Sequence, residues 1–262
     1  MHAWTVPEAL LLAFVGLAAG FVNTAAGAGS LLSLRALMLF GIPAEVANAT
    51  NRVPVLVQST VAGRGFDKAG VLDRSSILKA AIPSSLGAIV GALTASHLPE
   101  KVMRWLLIVV LLGIAFTGLR AARRPAAPDA EKGEAPKKLE LRVATTVWLF
   151  VAGAYGGFLQ AGVGLALLYA LATVGGLDYA RANGLKAVLV AIFTVPALAV
   201  FVLAGQVAWV PAIVMSLGAA AGAALGVRYA VKYARQLRVT VVVIDVIACI
   251  VLVAREIVAM KT

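Results

Sequence analysis

Residues 20–52 read GFVNTAAGAGSLLSLRALMLFGIPAEVANATNR. The stretch starts as an apolar helix and breaks at the small-residue run Ala25-Ala26-Gly27-Ala28-Gly29-Ser30. It resumes as a short apolar piece and ends in a polar cluster, Asn48, Thr50, Asn51 and Arg52. Glu8 to Arg35 as one helix would extend about 40 Å, longer than the roughly 30 Å hydrocarbon core of a bilayer. Gly27 and Gly29 weaken that helix and permit an unwound turn. Unpaired backbone groups at membrane depth are tolerated only where protein or a ligand satisfies them. The stretch therefore predicts a broken membrane helix that lines a cavity.

The rest of the chain fits that setting. Of its 262 residues, 61% are hydrophobic and 13% are charged, and the mean hydropathy is +0.96. Ala9–Leu34, Val143–Leu177 and Ala187–Val227 contain no Asp, Glu, Lys or Arg. Each exceeds the roughly 20 residues that span a bilayer core. The expected class is an all-α polytopic membrane protein. The pI of about 10.2 does not point to nucleic acid, because the positive charge sits in loops between apolar runs. Cys249 is the only cysteine, which excludes an intrachain disulfide and a Cys-rich metal site. His2 and His97 form no ligand pattern, so no metal and no cofactor is expected. An apolar N-terminal run without a preceding Lys or Arg argues against a cleaved signal peptide.

A degenerate copy of the opening stretch lies 135 residues later. Gly27 falls on Gly162, Gly29 on Gly164, Gly41 on Gly176, and Ala47-Asn48 on Ala182-Asn183. Ala69-Gly70 falls on Ala204-Gly205, and Gly87, Gly91 and Arg120 fall on Gly222, Gly226 and Arg255. Ten identities in one register divide the chain into a first repeat, residues 1–122, and a second, residues 143–262. Residues 123–142 are rich in Pro, Ala and charge and read as a solvated linker. Each repeat holds about five apolar pieces. In the first they are Pro7–Ala26, Ser30–Gly41, Val53–Gly63, Ala80–Ser96 and Trp105–Leu119. In the second they are Val143–Ala161, Leu165–Gly176, Ala187–Ala204, Trp209–Tyr229 and Val239–Val253. The second and third pieces of the first repeat are too short to span alone, and eight to ten membrane elements are expected in all.

Charge bears on how the repeats are oriented. If each crosses an odd number of times, the N-terminus is outside and the repeats are inverted. The cytoplasmic segments are then 64–79, 120–142, 181–186 and 228–238, which hold 17 of 23 Lys and Arg. The homologue of 64–79, residues 199–214, carries no charge. That contrast is what inversion predicts, since cytoplasmic loops are enriched in Lys and Arg.

Candidate binding residues cluster at the breaks. The half-helix after each break presents free N–H groups and a positive dipole end, a fit for an anion. Asn23, Thr24, Gly27, Gly29, Ser30 and Ser33 stand at the first break, and Gln160, Gly162 and Gly164 at the second. Gly87/Gly91 and Gly222/Gly226, spaced small-xxx-small, read instead as close helix packing. Each repeat also places a cation three or four residues after its paired asparagine: Asn48 and Asn51 with Arg52, Asn183 with Lys186. Two readings stay open for these cations. They meet near a pseudo-twofold axis and neutralise an anion, or they snorkel to opposite interfaces as anchors. Arg35 is a further cation without a counterpart. Gln58, Ser59 and Thr60, with Thr194 matching Ser59, bind substrate oxygens or pair between helices. Asp245 is an acid inside an apolar segment and is the candidate for proton coupling.

The ordered set resembles the sulfite exporter TauE/SafE family, also called the 4-toluene sulfonate uptake permease family. The residues that carry the resemblance are Gly20-Phe-Val-Asn-Thr-Ala-Ala-Gly-Ala-Gly-Ser30 and Gly153-Ala-Tyr-Gly-Gly-Phe-Leu-Gln-Ala-Gly-Val-Gly164. Ala204-Gly-Gln-Val-Ala-Trp209 and the asparagine-cation clusters complete the set. The resemblance spans nearly the whole chain. It implies transport of a small organosulfur or organic anion such as sulfite, a sulfonate, sulfoacetate or thiosulfate. Export across the cell inner membrane, coupled to protons or membrane potential, is the commoner assignment. A passive anion channel is the nearest alternative. An intramembrane enzyme lacks a nucleophile-base pair or metal cluster in its apolar segments.

Overall fold

The computed structural model describes residues 4–27, 29–99, 102–103, 105–106 and 139–230. They are helical, with no strand among the described residues. The first half holds α1 (Val6–Ala26), α2 (Ser30–Leu39), α3 (Ala44–Thr50), α4 (Arg52–Lys68) and α5 (Ile77–Ser96). The second half holds α6 (Val143–Leu159), α7 (Val163–Leu168) running into a π-helical turn (Tyr169–Val174), α8 (Tyr179–Leu203) and α9 (Trp209–Ala230).

Among the described residues, four helices are long and apolar enough to cross a bilayer: Val6–Ala25, Arg74–Ser96, Tyr179–Leu203 and Trp209–Ala230. The chain is a multi-pass membrane protein. The outer faces agree with this. Along α5, Leu78, Ile82, Leu86 and Val90 recur every four residues and are exposed. The opposite face of α5 is built of small buried residues, among them Ser84, Ala88 and Ala92.

Small residues govern how the halves meet. Lipid supplies no hydrophobic drive between helices, so they associate through close packing. A Cβ on Gly87 or Gly91 would come within 2.2 Å or 2.0 Å of a carbonyl oxygen of α6. A Cβ on Gly218 or Gly222 would come within 1.8 Å or 2.0 Å of a carbonyl oxygen of α1. The fifth helix of the first half thus packs on the first helix of the second, and α9 packs back on α1. Gly87 and Gly91 are packing glycines, as their spacing predicts.

The turns repeat the register of the sequence. Among the described residues, six glycines have positive φ: Gly27, Gly41, Gly70, Gly162, Gly176 and Gly205. They form three pairs 135 residues apart, with φ of 86° and 72°, 80° and 74°, and 71° and 68°. A left-handed residue ends a helix at low cost only when it lacks a Cβ. Three of the matched glycine pairs are therefore matched for conformation.

The structure carries helix through two places where the charges in the sequence suggest an end. The third piece of the second half begins at Tyr179 rather than Ala187, because Asp178 caps the helix by accepting from the Arg181 N–H at 3.0 Å, and Lys186 is taken inside it. The polar cluster before Arg52 is itself the helix α3. Helical bonding runs on through Asn51, from the Asn51 N–H to Ala47 O and from the Val55 N–H to Asn51 O. Pro54 then lacks the N–H that would reach Thr50. Asp245, Cys249, the piece Val239–Val253 and most of the linker and of Trp105–Leu119 lie outside the described residues.

Candidate functional site

Both broken helices end at a left-handed residue. α1 stops at Ala26 because Gly27 turns back, its N–H donating to Asn23 O at 2.9 Å. α6 stops at Leu159, where Gln160 is left-handed at φ 51°, and Gly162 follows at φ 72°. Gln160 is the one non-glycine residue with positive φ among the described residues. Such a conformation costs about 1–2 kcal/mol and persists where the surroundings hold it. The two breaks meet backbone to backbone. A Cβ on Gly27 would lie 2.8 Å from the carbonyl carbon of Gly164, and a Cβ on Gly164 would lie 2.4 Å from the Gly27 oxygen. Nothing larger than hydrogen fits at either position.

Each break ends in a last turn of carbonyls, and side chains of the other half donate to them. Asn48 Nδ2 donates to Phe158 O at 2.8 Å. Arg52 Nη1 donates to Gly156 O at 3.0 Å, and its Nη2 donates to Gly157 O at 2.5 Å and Phe158 O at 3.4 Å. In the reverse direction, Asn183 Nδ2 donates to Thr24 O at 2.9 Å and Lys186 Nζ to Asn23 O at 3.0 Å. Cations are favoured at helix C-termini, where the backbone carries about half a negative charge. The asparagine-cation clusters of the sequence are thus the caps of the opposite half's broken helix.

The remaining polar residues complete this lattice. Ser30 Oγ donates to Gln160 O and accepts from the Gly162 N–H, both at 3.2 Å, so it bridges the second break. Asn51 Oδ1 accepts from Ser33 Oγ at 2.5 Å, and its Nδ2 donates to Ser30 O at 3.3 Å. Gln160 Oε1 accepts from Arg52 at 2.9 Å, while its Nε2 donates to Thr194 Oγ1 at 3.2 Å. Lys186 Nζ also donates to Asn183 Oδ1 at 2.5 Å.

The structure brings Asn23, Thr24, Gly27, Gly29, Ser30 and Asn48 together with Asn51, Arg52, Gln160, Gly162, Gly164, Asn183 and Lys186. Gly29 packs against α1 near Ala19 and Asn23. Arg52 is fully buried and Lys186 is 3% exposed, so neither snorkels. Arg35 is also buried. Gln58 and Ser59 are buried on α4, and the Thr60 hydroxyl is spent on Leu56 O of its own helix.

Three aromatic residues at this centre escape a reading of the sequence. The Phe201 ring lies 4.4 Å from the Arg52 guanidinium carbon and covers one face of the cation. Tyr155 OH donates to Ala161 O at 2.5 Å and Tyr179 OH to Ala25 O at 3.3 Å. All three stand in apolar helices, where an aromatic ring reads as packing, and nothing in their spacing marks them as partners of the breaks.

Among the described residues no carboxylate pairs with Arg52 or Lys186, and no cluster of His, Cys, Asp or Glu is suited to a metal ion. The centre is therefore two buried cations held by neutral groups, between two helices broken at the same depth in the fold.

Comparison with known proteins identifies the family of the chain. The sequence profile of the family described as Sulfite exporter TauE/SafE matches residues 12–252. A probable membrane transporter protein, ORF9, of Sinorhizobium sp is 29% identical over 212 residues, which cover 79% of this chain and 78% of the relative. The probable membrane transporter protein YfcA of Escherichia coli K12 is 27% identical over 212 residues, covering 79% and 75%. A probable membrane transporter protein of Haemophilus influenzae is 26% identical over 208 residues, covering 79% of each chain. No solved structure matches. The chain is a membrane transporter rather than an enzyme, and it belongs to the sulfite exporter TauE/SafE family.

Proposed function

We propose that this transporter carries a small sulfur-containing or organic anion, such as sulfite, a sulfonate or sulfoacetate, and exports it across the plasma membrane. The observation that carries the reading is the charge balance at the breaks. Among the described residues, Arg52 and Lys186 are buried and hydrogen-bond only to carbonyl and amide oxygens. Two helix C-termini offset about one of their two charges. A cation inside a membrane helix costs about 3 kcal/mol or more, so the uncompensated remainder favours an anion. Backbone at residues 27–30 and 162–164 binds its oxygens, with polar contacts from Asn23, Thr24, Asn48, Asn51, Gln160 and Asn183.

The mechanism is alternating access of two inverted repeats, residues 1–122 and 143–262, joined by a cytoplasmic linker at 123–142. The exchange of caps between the halves and the three conformationally matched glycine pairs support this. Protons or membrane potential drive transport, with Asp245 the residue for the proton. The test is uptake of sulfite, sulfoacetate and thiosulfate into proteoliposomes, with and without a pH gradient. Flux of one of these anions, accelerated by the gradient, is expected. Absence of flux for all three would overturn the substrate class.

A further inference from the structure

We propose that the ligand presents a hydrogen-bond donor as well as a negative charge to the first-half subsite: a hydroxyl or a singly protonated oxyanion, held between Asn48 and Arg52. This rests on the anion reading above and narrows it.

The argument starts from two orphaned atoms. Asn48 is fully buried, and its Oδ1 has no hydrogen-bond partner. Arg52 is fully buried, and its Nε has none. Buried polar atoms are almost always satisfied, and exceptions in a native site call for an explanation. The amide orientation of Asn48 is fixed by chemistry. The atom 2.8 Å from Phe158 O must donate, because a carbonyl only accepts, so the other atom is the acceptor Oδ1.

The two orphans belong to one locus. Arg52 Nη2 and Asn48 Nδ2 converge on the same carbonyl, Phe158 O. In a guanidinium, Nε–H and the neighbouring Nη2–H point along a shared edge. Nη1 is taken by Gly156 O and Gln160 Oε1, and Phe201 covers one face of the group. The Nε–H is what remains of Arg52 for a ligand, on the same planar group as the Nη2 that shares Phe158 O with Asn48.

The partners of Asn48 Oδ1 and Arg52 Nε are of opposite kind. Arg52 Nε needs an acceptor and Asn48 Oδ1 needs a donor. A fully ionised oxyanion offers lone pairs alone, which satisfies Arg52 and sets negative charge against Asn48 Oδ1. A hydroxyl or a protonated oxyanion such as hydrogen sulfite satisfies both. The second half does not share this demand. Asn183, the repeat mate of Asn48, has both amide atoms occupied, Nδ2 by Thr24 O and Oδ1 by Lys186 Nζ. The site is therefore polar in two senses: it takes a donor-bearing end at Asn48 and Arg52 and accommodates bare negative charge toward Lys186. Carrying the protonated form would also move a proton with the anion.

The probe pair is 2-hydroxyethanesulfonate and ethanesulfonate, which share a charge that does not titrate and differ in one hydroxyl. Each competes with sulfite for flux in proteoliposomes of the intact protein. The expected result is that the hydroxyl compound competes at a concentration at least about tenfold lower, since sites built to hydrogen-bond a hydroxyl reject the analogue that lacks it. In Asn48→Leu the ratio should fall to about one. The ratio is read within one preparation, so a lower yield of folded variant does not move it. Equal competition, or competition by neither compound, in the wild-type protein overturns the donor proposal while sulfite flux leaves the anion reading standing. No flux of sulfite, sulfoacetate or thiosulfate removes both.

Discussion

Asn48 and Asn183, 135 residues apart, do the same thing in opposite directions: each donates its amide to a carbonyl at the broken end of the other half's first helix. The distances are 2.8 Å to Phe158 O and 2.9 Å to Thr24 O. A stranded carbonyl in a membrane interior has no water to turn to, so each half depends on the other for its satisfied state.

The dependence is unequal, and this is measurable. Asn183→Ala removes the side-chain donor to Thr24 O and one acceptor from Lys186. Asn48→Ala leaves Phe158 O its contact with Arg52 and removes no partner from Oδ1. Leaving one buried polar group unsatisfied costs about 1–3 kcal/mol. Thermal unfolding in detergent should show Asn183→Ala as the more destabilised variant. The double variant should come within about 0.5 kcal/mol of the sum, because the two amides share no partner. Equal shifts, or Asn48→Ala the worse, would contradict the asymmetry.

The glycine pair at the crossing makes a sharper structural test. At Gly164 an added Cβ meets the backbone of Gly27, which has no side-chain tip to swing aside. Gly41 is left-handed too, at φ 80°, but has nothing within 4 Å of the added atom. Gly41→Ala should therefore cost only the conformational term, about 1–2 kcal/mol. Gly164→Ala should abolish the monodisperse folded peak in size-exclusion chromatography of the detergent-extracted protein. If the two variants behave alike, the close crossing of the breaks is wrong.

Periodicity in the sequence carried the architecture further than it carried the chemistry. The glycine register was legible because a left-handed turn tolerates few other residues, and Gly27/Gly162, Gly41/Gly176 and Gly70/Gly205 all kept them. The broken helices at Ala26 and Leu159 were legible for the same reason. What charge obscured was α8, since Arg181 and Lys186 look like the edge of a membrane segment. Only the structure reveals that a Lys186 inside the helix has carbonyls waiting for it at Asn23. The role of Arg52 was half legible: its spacing from Asn48 marked a shared face, yet its acceptors, residues 156–158, come from backbone more than 100 residues away. Backbone acceptors leave no trace in residue identity. Tyr155, Tyr179 and Phe201 were illegible for a related reason, because an aromatic residue in an apolar helix has packing as its default use.

Outside the membrane, the turn between α4 and α5 should respond to acid. Burial works against ionisation of Asp73. Hydrogen bonds from Ser76 and Ser75 and from the backbone of Ser75 and Leu139 outweigh it and hold the carboxyl below the usual carboxylate range. A depressed folded value means that the stabilisation is present above the unfolded value, about 3.9, and is lost as pH falls through the folded one. Hydrogen exchange in residues 71–76 should be protected at pH 5 and accelerate below about pH 4 relative to the intrinsic rate. Asp73→Asn should remove that pH dependence. A protected turn at the lowest pH, or unchanged behaviour in Asp73→Asn, would rule out the carboxylate as the anchor.

The cations themselves separate structural capping from anion binding. If Arg52 and Lys186 serve only as caps, a neutral donor should replace much of their function, because an amide N–H can also reach a carbonyl. Arg52→Gln with Lys186→Gln would then keep flux within a few-fold of wild type wherever the protein folds. If their charge attracts the substrate, the double variant loses it even when folded. Truncating one partner of a buried charge interaction costs about 2–5 kcal/mol, so flux should fall by at least about 30-fold. Arg52→Lys is the informative intermediate. It keeps the charge but loses the planar group that spans Gly156 O, Gly157 O and Gln160 Oε1 at once. It should retain anion flux at a reduced maximal rate and with less thermal stability, whereas the double glutamine variant should lose flux at every sulfite concentration. Wild-type flux in the double variant would dismiss the charge at the breaks as a binding element and leave the two residues as caps alone.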